Sequence, residues 1–310
     1  MQQNTKNADI PKVCILLSGY NGSKFIREQI DSLLDQKDVD IKIVVRDDGS
    51  SDDTVDIVRS YGGNIVLIEG KNLGCEKSFA ELLKYHDDSD YYAFSDQDDY
   101  WLPDKVRSEV NAIKDIPGPA LAACNLFLCK EDLTVERALH STDEIEAIRN
   151  SMKENYLVNM HGCVLLWNRE LHERLRNNIP DDIISHDGWV NTVANAVGTV
   201  IILEEPLIRY RIHGNNTAGH ASTTYERAKK GIKLYLGKNH PHRDILAKEV
   251  LGRFGEDIDP FSNGYDTLCK IANYKSSLKA RLNLMNKDII RKVRFPDRLL
   301  WWLCILAGTY

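Results

Sequence analysis

Through its first half the chain alternates short β-branched and aromatic runs with amphipathic segments, and each run ends in polar residues. Val13 to Leu17 predicts a first strand. From about Lys24 to Leu34, residues Phe25, Ile26, Ile30, Leu33 and Leu34 recur at helical spacing behind Ser23, the expected N-cap. Ile41 to Val45 predicts a second strand, followed by the turn residues Arg46 to Ser51. Asp52 or Asp53 then opens a helix carrying Val55, Ile57 and Val58. A third strand over Ile65 to Ile68, a helix over Glu76 to Tyr85 and a fourth strand over Tyr91 to Phe94 complete the pattern. This alternation predicts an α/β fold with a mostly parallel, Rossmann-like sheet and helices on both faces.

Open parallel sheets bind ligands beyond the carboxyl ends of their strands. Ser18, Gly19, Tyr20 and Asn21 follow the first strand, Asp47 and Asp48 the second, and Asp96 and Asp98 the fourth, so the three loops are expected to converge on one crevice. No G-x-G-x-x-G follows the first strand and no G-x-x-x-x-G-K-[ST] occurs, which argues against a dinucleotide fold and a P-loop. Asp96, Asp98 and Asp99 place three carboxylates within four residues. Mutual repulsion of this kind at the end of a buried strand is usually offset by a cation, and a hard divalent ion such as Mg²⁺ or Mn²⁺, its ligand set completed by substrate phosphates, is the expected one. The alternative is a solvated loop, with Asp99 capping a helix that starts near Pro103. Asp47 and Asp48 likewise fit either a ligand-binding role or simple capping of the helix after them.

The 310 residues suffice for one large domain with an appendage or for two ordinary ones. With 40 basic against 46 acidic residues, the chain has no global basic field to neutralise nucleic-acid phosphates. Seven scattered cysteines, without a C-x-x-C pair, are expected to be reduced thiols. Met1 to Lys12 is polar and lacks the apolar core of a secretory signal, so a reducing cytoplasm is the expected location. No segment reaches the roughly 20 apolar residues of a spanning helix.

Three further segments carry a family resemblance. Val44-Val45-Arg46-Asp47-Asp48-Gly49-Ser50-Ser51-Asp52-Asp53-Thr54 resembles the nucleotide-binding loop of family 2 glycosyltransferases, V-D-D-G-S-x-D-x-T, with Arg46 as a departure before the paired aspartates. Ser95-Asp96-Gln97-Asp98-Asp99-Tyr100-Trp101-Leu102-Pro103-Asp104-Lys105 resembles their D-x-D segment in the form followed by W-L-P-x-K. Tyr210-Arg211-Ile212-His213-Gly214-Asn215-Asn216-Thr217 is similar to the Y-R-x-H-x-x-N element of a bacterial subgroup associated with rhamnosyl transfer. The resemblance covers residues 11 to 218.

It implies an A-type glycosyltransferase fold, a nucleoside-diphosphate sugar donor, and Mn²⁺ or Mg²⁺ held between carboxylates and the diphosphate. Ser18, Tyr20, Asn21, Asp47, Asp48 and Asp96 are then the expected nucleotide contacts, with Tyr20 over the base and Asp47 toward base or ribose. Asp98 and Asp96 are the expected metal ligands. His213 joins them or contacts the diphosphate, since imidazole both ligates Mn²⁺ and donates to phosphate oxygens; the commoner fate of a lone histidine is structural. Arg209, Arg211, His213, Asn215 and Asn216 form a polar loop suited to phosphates. An acceptor hydroxyl also needs a base. Ser185-His186-Asp187-Gly188-Trp189 resembles the family's H-D-x-W element, which makes Asp187 the expected base for an in-line, inverting displacement, against a plain helix-capping role. Trp101, His186, Trp189 and Arg211 are the expected sugar or acceptor contacts, and burial is the alternative for Trp189. Met160 to Cys163 is expected to line the acceptor cleft, and the charged, irregular stretch from Glu131 to Asn155 to form an acceptor loop or a solvated excursion.

Residues 1–10 are expected to be disordered, 11–218 to form the nucleotide-sugar domain, and 219–310 to form a helical, basic extension. That extension closes on Leu299 to Ala307, whose tryptophans and neighbouring cations suit an anionic lipid surface at the inner face of the cell membrane; packing on the protein or on a second subunit is the alternative. The expected activity is metal-dependent transfer of a sugar, from deoxythymidine-diphosphate rhamnose or a uridine-diphosphate hexose or hexosamine, to a bacterial surface glycan or lipid-linked acceptor. A sugar nucleotidyltransferase and a non-catalytic carbohydrate-binding scaffold are the readings from other classes.

Overall fold

The structure, a computed structural model, describes residues 10–152, 156, 159–183, 185–214, 242–285 and 297–310. The expected disorder of residues 1–10 falls almost wholly outside these, as do Asn215 and Asn216. In chain order the first half runs β1 (Lys12–Gly19), α1 (Ile26–Leu34), β2 (Asp40–Asp47), α2 (Thr54–Arg59), β3 (Ile65–Glu69), α3 (Cys75–Leu83), β4 (Tyr91–Ser95), β5 (Tyr100–Trp101) and α4 (Lys105–Ile113). The second half runs β6 (Ala120–Cys129), β7 (Val135–Ala138), α5 (Thr142–Met152), β8 (Leu165–Asn168), α6 (Arg169–Arg176), α7 (His186–Val197) and β9 (Thr199–Arg211). Four helices follow: α8 (Arg243–Phe254), α9 (Asn263–Asn273), α10 (Leu278–Met285) and α11 (Asp297–Ala307).

One sheet runs β3-β2-β1-β4-β8-β6-β9-β5, with β7 added to β6. Strands β3, β2, β1 and β4 are parallel. Beyond them β8 is antiparallel to both β4 and β6, while β6 and β9 run parallel. Val13 to Leu17 are all fully buried, as expected of a strand covered on both faces, and each large apolar side chain so buried contributes about 1.5–3 kcal/mol. The predicted α/β class is thus the observed one, with a mixed second half.

Three local expectations are corrected. First, α1 begins at Ile26 and Ser23 caps nothing. Residues 21–23 instead bind the loop after β2: Asn21 N donates to Ser50 Oγ (2.9 Å), Gly22 N to Thr54 Oγ1 (2.8 Å) and Ser23 N to Asp52 Oδ2 (3.0 Å). Second, Asp99 does not cap a helix near Pro103; it is fully buried and accepts from Arg211 N (3.2 Å), while Asp104 stands before α4. Third, the stretch after Glu131 holds β7 and α5 rather than an irregular excursion. Ser141 and Glu144 form a reciprocal capping box at the start of α5, with Ser141 N donating to Glu144 Oε2 (3.0 Å) and Glu144 N to Ser141 Oγ (3.3 Å).

Candidate active site

The ends of β1, β2 and β4 enclose a cavity of about 720 Å³ lined among others by Ser18, Tyr20, Asn21, Asp48, Asp96, Asp98, His186, Asp187 and His213. The β1 loop is fixed by Gln97, which lies between the two aspartates of the D-x-D turn. Tyr20 N donates to Gln97 Oε1 (2.8 Å), and Gln97 Nε2 donates back to Tyr20 O (3.0 Å). A Cβ on Gly22 would sit 2.2 Å from Gln97 Oε1, so this contact requires glycine. Asn21 takes the left-handed conformation (φ 47°) that turns the chain there.

The paired aspartates after β2 divide their work. Asp47 Oδ2 accepts from Gly49 N (3.0 Å) and Ser50 N (2.9 Å), closing the turn in which Gly49 has φ 82°; Asp47 is buried and does not line the cavity. Its Oδ1 is buried without a hydrogen-bond partner among the described residues. Asp48 accepts from Leu73 N (2.8 Å) and Gly74 N (2.9 Å) and pairs with Arg46 (2.5 Å). Arg46, the departure from the family pattern, also donates to Ser78 Oγ (2.9 Å) and Lys71 O (3.1 Å). It neutralises Asp48 and joins the β2 loop to residues 71–74.

At the β4 end, Asp98 Oδ2 lies 2.7 Å from His213 Nε2, so the residues just after β9 deliver the imidazole to the D-x-D turn. Phe25 packs against the same ring, with centroids 5.0 Å apart. Asp96 is pushed up to about 7, first by burial and then by the charges of Asp98 and Asp187, with His186 opposing. Asp96, Asp99 and Cys163 also bring ligand atoms within 4.8 Å of one another. That second group suits Mn²⁺ or Mg²⁺ poorly, because Asp99 and Cys163 are buried away from the cavity lining and a cysteine sulfur is a soft ligand for ions that prefer oxygen. Asp98, His213 and Asp96 line the cavity wall with oxygen and imidazole donors of a type that suits these ions, with Asp98 and His213 2.7 Å apart, and phosphate oxygens entering there can complete a shell.

Across the cavity, Ser185 caps α7 by accepting from Gly188 N (3.0 Å), so Asp187 is not the cap of the helix it begins. Asp187 Oδ1 takes the Ser185 hydroxyl, Gly188 N (2.6 Å) and, at 3.4 Å, Asn159 Nδ2. Burial would raise this carboxyl, but His186 and those donors outweigh it and hold it below the ordinary aspartate range. Among the described residues all these bonds fall on Oδ1 rather than Oδ2. Glu76 Oε2 receives both His186 N (2.6 Å) and His186 Nδ1 (2.7 Å). His186 stacks on Phe79 at 4.1 Å, and although burial opposes it, Glu76 and Asp187 raise its pKa.

Three expected contacts are corrected by burial. Trp101 and Trp189 are both fully buried and present no face to a sugar; Trp101 instead lies under the Lys105 ammonium (3.7 Å from the ring centroid), itself paired with the buried Glu109 (2.7 Å). Arg211 is 3% exposed, and its guanidinium is taken up by Asp98 O, Glu131 O and Glu28 Oε2. His161 and Gly162 line the cavity, whereas Met160 and Cys163 are core residues. Sequence reasoning missed Glu76, Gln97 and Phe25 as cavity residues. Gln97 was legible as the middle of the D-x-D turn, but Glu76 meets His186 across 110 residues of sequence, which no local pattern encodes.

The C-terminal helices cover α7, through α8, and pack on one another. In α11, Cys304 and Ile305 are buried while Leu299, Leu303 and Leu306 are exposed at i, i+4 and i+7. Among the described residues no helix is long and apolar enough to cross a membrane.

Comparisons with known proteins agree with this fold. An uncharacterized glycosyltransferase of Rickettsia typhi is 27% identical over 279 residues, spanning 86% of this chain and 84% of its own length. The dTDP-rhamnosyl transferase RfbG of Shigella flexneri is 27% identical over 239 residues, or 72% of this chain and 80% of its own. Among solved structures, S. aureus TarS 1-349 in complex with UDP-GlcNAc superposes with a TM-score of 0.56 at 16% identity, over 96% of this chain and 80% of that one. The mannosyltransferase PcManGT of Pyrobaculum calidifontis, in complex with GDP-Man and Mn²⁺, gives 0.50 at 18% identity, over 96% and 84%. These solved structures share the A-type glycosyltransferase fold with this chain. The family model of glycosyl transferase family 2 matches residues 14–176, which contain the Asp47–Asp48 loop and the D-x-D turn, and the chain belongs to that family as a glycosyltransferase.

Proposed function

We propose that the protein is an inverting, metal-dependent glycosyltransferase using a nucleoside-diphosphate sugar, with deoxythymidine-diphosphate rhamnose the favoured donor. The observation that carries this reading is the convergence of Asp48, Asp96, Asp98, Asp187 and His213 on one cavity. Asp187, ionised and fixed through Oδ1, takes the proton of the acceptor hydroxyl at Oδ2 as that oxygen attacks the sugar carbon from the face opposite the diphosphate. Tyr20, half exposed at the cavity rim, covers the base, and the β1 and β2 loops hold the ribose. Asp98, His213 and Asp96 would hold Mn²⁺ or Mg²⁺, which when bound would offset charge on the leaving diphosphate. The donor preference draws on the Tyr210 to Thr217 element and on RfbG; a uridine-diphosphate hexose is the second reading, since TarS carries UDP-GlcNAc. Calorimetric titration with dTDP-rhamnose, UDP-glucose and UDP-GlcNAc in Mn²⁺ tests the choice: tightest binding of the rhamnose donor is expected, and a clear preference for a uridine donor would overturn it.

The acceptor in this reading is a bacterial surface glycan or its lipid-linked precursor. The exposed Leu299, Leu303 and Leu306 stripe, beside the basic segment ending at Arg298, then rests on anionic lipid. Sedimentation with phosphatidylglycerol vesicles is expected to fall several-fold when the three leucines are changed to Asn, and equal sedimentation would sink the membrane assignment.

A further inference from the structure

Arg211 is the last residue of β9, two positions before His213. Its Nε donates to the Asp98 carbonyl (2.8 Å) and its backbone N to Asp99 Oδ1 (3.2 Å). Nη2 pairs with Glu28 Oε2 of α1 (2.5 Å), and Nη1 donates to the Glu131 carbonyl after β6. The guanidinium also lies over the Phe25 ring, 4.4 Å from its centroid, and Phe25 in turn packs on His213 at 5.0 Å. One side chain therefore grips the D-x-D turn, α1, the turn after β6 and, through Phe25, the imidazole. Arg211 itself does not line the cavity.

We infer that Arg211 is a positioning residue: it holds the Asp98 backbone and the Phe25 ring so that Asp98 Oδ2 and His213 Nε2 stand as a preformed pair for the divalent cation that accompanies the donor diphosphate. This rests on the assignment of Asp98 and His213 as cation holders. The physical reason lies in the guanidinium, whose planar fork serves three acceptors in fixed directions while its face covers an aromatic ring. A lysine ammonium is a point charge on a flexible stem and cannot reach Asp98 O, Glu131 O and Glu28 at once. Groups that orient metal ligands typically contribute 10- to 100-fold in metal affinity, roughly the loss expected when the pair must be ordered by the ion itself.

The test is calorimetric titration with Mn²⁺, alone and with dTDP or UDP present, of the full chain and of Arg211→Lys, Phe25→Leu and Glu28→Gln. Arg211→Lys is expected to bind Mn²⁺ about 10- to 100-fold more weakly. Phe25→Leu, which strands no charge, should weaken binding several-fold, while Glu28→Gln, which leaves the Asp98 and Glu131 contacts in place, should stay within about threefold. A purely structural Arg211 would lower the melting temperature of Arg211→Lys and leave its Mn²⁺ affinity at the wild-type value, which overturns the inference while the cation site stands. Should Arg211→Lys fail to fold, unchanged affinity in Phe25→Leu overturns it equally. A wild-type chain that takes up no Mn²⁺ even with nucleotide present would remove the cation assignment first, and the inference with it.

Discussion

Asp187→Asn is expected to lower kcat by about 10²- to 10⁴-fold, the span that a positioned general base contributes. The substitution keeps an acceptor oxygen for Gly188 N and the Ser185 hydroxyl, so the start of α7 should persist and the loss should be chemical. The measurement is the rate of nucleoside-diphosphate release with acceptor present, beside circular dichroism of both proteins. A variant within a few-fold of wild type would remove Asp187 from the chemistry. The pH profile supplies an independent check. Because this carboxyl is held below the ordinary aspartate range, the proton-accepting form persists through neutral pH, and the rate should fall only as pH drops through the lowered value. His186→Gln removes the imidazole that helps hold the Asp187 carboxyl low, so the acid limb should move to higher pH.

Asp98→Asn should weaken Mn²⁺-dependent donor binding by more than about 100-fold, beyond the 10- to 100-fold that loss of a merely orienting partner brings. The electrostatics have a second consequence. Without a cation, Asp98 crowds Asp96 with like charge, and this repulsion is one cause of the raised Asp96 pKa. Removing it should leave the metal-free variant at least as heat-stable as wild type while abolishing the stabilisation that Mn²⁺ and nucleotide confer. A variant melting lower than wild type in chelator, with donor binding intact, would show that Asp98 supports the turn rather than the ligand.

Much of the parallel half was legible because strand periodicity and turn chemistry are local. β1, β2, β3 and β4 fall where apolar runs meet Asp, Gly and Ser, and the boundaries moved by only a few residues. α5 was passed over although its signal was present: Ser141 precedes Glu144 by three, the spacing of a capping box, and the charged surroundings hid it. The tryptophans show the opposite case. Trp101 and Trp189 sit in motifs that suggest sugar contact, yet whether an aromatic faces a cavity or the core depends on what packs behind it. Here the Lys105 ammonium lies over the Trp101 ring, and Phe254 packs at a tilt against Trp189, with ring centroids 6.0 Å apart in the latter pair. Arg46 looked like a flaw in the nucleotide loop and is the partner of Asp48.

By itself the sequence determined the fold class and the loops that meet at the crevice, since both follow from residue type and short spacing along the chain, and its motifs carried the resemblance to the family. The tertiary structure alone decided which side chain of each motif faces the cavity. Asp48 lines it while Asp47 closes a turn, and Asp98 lines it while Asp99 is sealed beneath. Successive residues of a loop share composition and charge, and only the backbone path and the distant partners Gln97, Glu76 and Arg211 separate them. Those partners act across 77, 110 and 113 residues, a range at which composition and periodicity carry no information.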